Sequence, residues 1–110
     1  MDNKSMYEFY VAGVKFHELH KCINELDEGM YLNLVPEPTN QYDPNAVKTI
    51  YSNENEDKNF MLGYVPAKIS ALVTADLEIS DLECKIIELN PSEKPWKQLK
   101  VLIKEVEEDV

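Results

Sequence analysis

The sequence predicts a small, mainly β domain with one or two short helices, its roughly six strands curled into a partly open barrel. Short runs rich in β-branched and aromatic residues alternate apolar with polar, and prolines or polar clusters separate them. Only 3 glycines occur, and nothing repeats the strand–helix–strand rhythm of a parallel sheet. The apolar phase also slips between Ile86 and Ile87, as at a β-bulge, and bulges let strands curl towards closure. A chain of 110 residues with 44% hydrophobic content suits one compact domain, residues 1–110. Such a domain buries roughly two thirds of its unfolded surface.

Taken in order, Tyr7 to Val14 reads as a strand leaving through a bend at Gly13. Leu19, Cys22, Ile23 and Leu26 form one helical stripe that Gly29 can terminate. Met30 to Val35 alternates as a second strand, with Met30, Leu32 and Leu34 on one side, and Pro36 and Pro38 stop it. Strands follow over Ala46 to Tyr51 and Phe60 to Val65, with the polar segment Ser52 to Asn59 as an exposed hairpin loop. Pro66 suits the first position of a helix whose Ile69, Leu72 and Val73 give a buried stripe to about Thr74. Leu82 to Leu89 and Gln98 to Val106 then pair as a long hairpin across a proline-rich connection.

Charge narrows the function. Asp and Glu total 21 against 11 cations, all lysine, for a net charge of −10. Non-specific polyanion binding is therefore disfavoured, because it relies on neutralising phosphates and, at its best, on the bidentate arginine fork. Cys22 and Cys84 are too few for a disulfide framework and agree with reduced thiols. The amino terminus lacks a signal-peptide pattern and no apolar run approaches the ~20 residues of a membrane helix. A cytoplasmic protein without membrane contact is the expectation.

The densest chemistry lies in Glu37-Pro38-Thr39-Asn40-Gln41-Tyr42-Asp43-Pro44-Asn45-Ala46-Val47, a proline-braced turn holding a tyrosine, a carboxylate and two asparagines. With Val11-Ala12-Gly13-Val14 before it and Gly63-Tyr64-Val65-Pro66 after it, this block resembles a HIRAN domain. The motifs span residues 9–73, and the strand pair 82–106 fits the family's size without a signature of its own. The resemblance implies an OB-like barrel that binds DNA and, in helicase-like members, a pocket for a single-stranded 3'-hydroxyl end in DNA repair or replication. Asp43 and Tyr42 match the hydroxyl-reading carboxylate and the stacking ring, with Asn40 beside them. Lys15 and Phe16 match a basic and aromatic pair for which the family tends to use arginine and tyrosine. Tyr64 falls in the Gly-Tyr-x-Pro motif, and Lys68 is the nearest base after it. The implied partners are a single-stranded DNA end and a helicase-type ATPase. No Walker-type loop, catalytic constellation or cofactor motif is present, so the expected role is non-catalytic.

Plainer readings stand beside these. Asp43 and Asn45 can simply close an Asx turn, Tyr42 can pack over the barrel mouth, and Phe16 can belong to the core. An acidic protein-interaction module that keeps the barrel, contacts a basic protein and has lost DNA affinity is the competing function. His17, His20, Cys22 and Cys84 invite a zinc reading, but on a helix Cys22 lies ~140 to 160° from both histidines. No metal is the adopted expectation, with the histidines facing solvent.

Overall fold

The protein, described from a computed structural model over residues 5–106, is built on one six-stranded antiparallel sheet. Its strands are β1 (Ser5–Tyr10), β2 (Tyr31–Pro36), β3 (Val47–Asn53), β4 (Lys58–Tyr64), β5 (Leu82–Leu89) and β6 (Leu99–Glu105). They lie in the order β1-β6-β5-β2-β3-β4. The helices are α1 (Leu19–Cys22) and α2 (Ala67–Ile79), with single 3-10 turns at Val14–Phe16, Ile23–Glu25 and Pro95–Lys97. The mainly β reading therefore holds. The acidic residues Glu107, Glu108 and Asp109 lie outside the described residues.

The bulge read from the apolar phase is present: Ile86 opposes Val101 and Glu88 opposes Lys100, leaving Ile87 as the extra residue. It returns Cys84 and Ile86 to the core, where both are fully buried beside Leu99, Val101 and Ile103. Val11, Leu62 and Val73 join the same cluster from β1's exit, β4 and α2.

Several boundaries differ from expectation. The first strand stops at Tyr10, because Gly13 adopts φ 75° and ψ 15° and turns Val14 into the 3-10 segment. The stripe of Leu19, Cys22 and Leu26 is buried as expected, but α1 gives way to a 3-10 turn after Cys22. The loop between β3 and β4 shrinks to a turn over Glu54–Asp57, since Ser52 pairs with Asn59 and Asn53 with Lys58. The Ser52 hydroxyl fixes that register by donating to Asn59 Oδ1 at 2.7 Å.

The longest departure is α2, which runs past Thr74 to Ile79 with Pro66 as its N-cap. Polar residues at and beyond Thr74 are used by tertiary contacts. Thr74 Oγ1 donates to the Asn45 carbonyl at 2.8 Å, and Asp76 Oδ2 accepts the Tyr7 hydroxyl at 2.6 Å. Leu72, expected in the stripe, is 56% exposed, while Ser70 is buried. Among the described residues no helix is long and apolar enough to cross a membrane.

The sheet is not a closed barrel. Its edges meet at one isolated bridge, where Ala12 N–H donates to the Tyr64 carbonyl and Tyr64 N–H to the Ala12 carbonyl, each at 2.8 Å. Gly63 makes that approach possible: a Cβ there would collide with the Ala12 carbonyl oxygen and lie 2.7 Å from Val11 Cγ1. Gly63→Ala is therefore expected to destabilise the fold by about 1–3 kcal/mol in urea unfolding. A loss below about 0.5 kcal/mol, the scale of a neutral surface change, would contradict this role.

Candidate functional site

Between β2 and β3 the turn is built by its own side chains. Asn40 Oδ1 accepts the main-chain N–H groups of Tyr42 at 2.8 Å and Asp43 at 3.0 Å. Asn40 Nδ2 donates to Glu37 Oε1 at 2.8 Å, and the same oxygen accepts the Tyr64 hydroxyl at 2.7 Å. Both ends of the Asn40 amide are thus engaged, so Asn40 shapes the turn. Lys48 Nζ stands 3.8 Å from Glu37 Oε2. The hydrogen bonds from Asn40 and Tyr64 lower the Glu37 pKa, and the carboxylate in turn raises that of Tyr64.

Asp43 closes the next step. Its Oδ1 accepts the Asn45 N–H at 2.9 Å, the Asx turn anticipated for these residues. Its Oδ2 accepts the hydroxyl of the buried Ser70 on α2 at 2.6 Å. A carboxylate offers about four acceptor sites, so two protein donors leave room for a ligand donor. Tyr42 is 93% exposed, held by its backbone with its ring free, so it does not pack over a barrel mouth.

Asn40, Tyr42, Asp43 and Tyr64 line one pocket of about 240 Å³ together with Ala12, Ala46, Val65 and Ala67. Three alanines leave the space that larger side chains would fill. Lys15 and Phe16 do not line it. They occupy an adjoining depression of about 140 Å³ that begins at Gly13, next in the chain to Ala12. Phe16 is 77% exposed instead of core, and Lys15 Nζ sits 5.8 Å from its ring centre. Pro95 and Trp96 form the other side, with Trp96 62% exposed and Lys94 Nζ 5.7 Å from its ring. Lys68, next in the chain to Ala67, lines a third depression with β1, Pro66 and Ile69.

Trp96 and Lys94 were not singled out by the sequence reading, although a lone tryptophan beside a proline in a loop was a visible signal. Glu37 was present in the motif without a role. His17 differs from the expected solvent-facing position: it is half-buried and meets Tyr64 edge to face, ring centres 5.5 Å apart and planes at 72°. His20 is exposed, whereas Cys22 and Cys84 are buried free thiols raised by burial to about 11 and about 12. Among the described residues, no group of three or more His, Cys, Asp and Glu could hold a metal ion.

The pattern that carries this geometry matches the HIRAN domain family over residues 4–105. The chain belongs to the HIRAN domain family. The match includes the C-terminal strand pair that bore no signature of its own. The crystal structure of the HIRAN domain of human HLTF shares the fold, with a TM-score of 0.59 and 14% identity over 97% of this chain and 84% of that one. The Fanconi-associated nuclease 1 homolog of Oryza sativa subsp. japonica is 30% identical over 83 residues. Those residues are 76% of this chain and 8% of that protein, so the chain spans a small part of its length. HIRAN membership supports a DNA-binding module.

Glu37 offers a pH test of the turn. A lowered carboxylate pKa contributes stability that is complete above the ordinary value of 4.5 and is lost as pH falls through the lower folded value. The Tm difference between the protein and Glu37→Gln should be constant above pH 4.5 and shrink below it. A difference independent of pH would remove Glu37 as the charged anchor.

Proposed function

We propose that this chain is a non-catalytic module that binds the 3'-hydroxyl end of single-stranded DNA in a repair or replication setting. The observation that carries the reading is the pairing, at the mouth of one pocket, of a free tyrosine ring with an immobilised carboxylate. The Tyr42 ring stacks on the terminal base, a contact worth about 1–3 kcal/mol. Asp43 accepts the hydrogen of the terminal hydroxyl, and its charge repels a phosphate at the same place. Asn40 and Glu37 hold both residues in position. Lys15 and Lys68 contact phosphates from the depressions they line, and Phe16 and Trp96 receive the preceding base.

A helicase-type ATPase or a nuclease acting on the same end is the matching partner activity. The rice relative, by name a nuclease, agrees with that setting.

Fluorescence anisotropy with short strands ending in 3'-hydroxyl or 3'-phosphate tests the proposal. Hydroxyl ends should bind about ten-fold tighter or better. Asp43→Asn, whose single amide oxygen keeps only one of the Ser70 and Asn45 contacts, should abolish that preference while the protein stays folded by circular dichroism. Equal binding of both ends by the unmutated protein would sink the end-reading claim.

Lys15→Ala should weaken both ends alike and reduce the slope of log affinity against log salt by about 0.7. An unchanged slope would take Lys15 off the phosphate path. Trp96→Ala should cost about ten-fold, the scale of one lost stack, and undiminished affinity would remove Trp96 from the site.

A further inference from the structure

Helix α2 carries a second apolar stripe that the fold does not use. Its inner face supplies Ile69, Val73 and Leu77 to the core. On the outer face Ala71, Leu72, Ala75 and Ile79 are all exposed, Leu72 by 56% and Ile79 by 81%. Solvated helix faces are ordinarily polar, so an apolar outer face calls for a partner. At the carboxy-terminal end of the helix, Ile79 borders a depression of about 520 Å³ whose ionisable groups, among the described residues, are all acidic: Glu78, Asp81 and Glu105. Val106 borders the same depression.

We propose that this stripe and its acidic end dock an amphipathic, Lys- and Arg-rich α-helix of a partner protein. Ala71 and Ala75 beside Leu72 and Ile79 make the small-and-large relief against which a helix packs ridge into groove, over about 12 Å. The charge selects the occupant. A cationic helix meets Glu78 and Asp81, and a chain of net charge −10 attracts it over distance. A second copy of this chain would set the same acidic rim and the same −10 against themselves, and a nucleic-acid strand would be repelled. Ala67 at the opposite end of α2 lines the turn pocket, so a helix and a DNA end can be held at once.

The test is a titration of 15N-labelled protein with a synthetic amphipathic Leu/Lys helical peptide, against a scrambled peptide of identical composition. Amide shifts should concentrate at residues 71–81 and 105–106, and the helical peptide should bind about ten-fold tighter than the scramble. Leu72→Ser with Ile79→Ser should erase that advantage at unchanged Tm, since both side chains are exposed. Equal affinity for the two peptides, shifts spread over the whole acidic surface, or an unaffected double variant would each overturn the proposal.

Discussion

The curl of the sheet depends on the crossing of two backbones at Ala12 and Tyr64, and that crossing requires the absence of a side chain at Gly63. With both edge strands tied there, three segments remote in sequence converge: the Gly13–Phe16 turn, the Asn40–Asn45 turn and the start of α2. Tyr64 follows the glycine directly and passes the constraint outward. Its main chain makes the bridge, and its hydroxyl reaches Glu37, the carboxylate that Asn40 also binds. The shape of the binding turn is thus linked by hydrogen bonds to the closure of the sheet.

An acidic protein that binds a polyanion needs its cations placed locally and its carboxylates used for selection. Screening over ~8 Å at physiological salt separates the pocket from most of the −10 charge. Lys15 and Lys68 line depressions of their own and Lys94 stands over the Trp96 ring, each a point charge without the arginine fork. In the binding mode we propose, stacking on the exposed Tyr42, Phe16 and Trp96 rings supplies affinity that salt does not weaken, and Asp43 turns the acidic character into discrimination. Ser70 matters because it is buried: its hydroxyl ties Asp43 to the helix, so the carboxylate does not wander.

Much of the fold was legible because it follows local periodicity. Strand alternation, the buried side of β2 and the bulge at Ile87 all follow from a period of two and its slip. The end of α2 was not legible, since Thr74 and Asp76 serve Asn45 and Tyr7, partners distant in the chain. The same applies to Gly63, whose reason for being glycine lies at Ala12. At the site, the motif identified the turn and its residues but not their division of labour. Asn40 builds the turn, Tyr42 and Asp43 line the pocket, and Lys15 and Phe16 line a neighbouring depression with Trp96. Side-chain exposure decided these roles, and exposure in loops is set by tertiary packing.

The most direct test of convergence on one DNA-binding surface is to follow backbone amides of the labelled protein while a short 3'-hydroxyl strand is added. The account predicts that shifts fall together in residues 12–16, 40–46 and 64–68 and saturate at a common strand concentration. Shifts that are absent, or that avoid the Asn40–Asn45 turn, would contradict it.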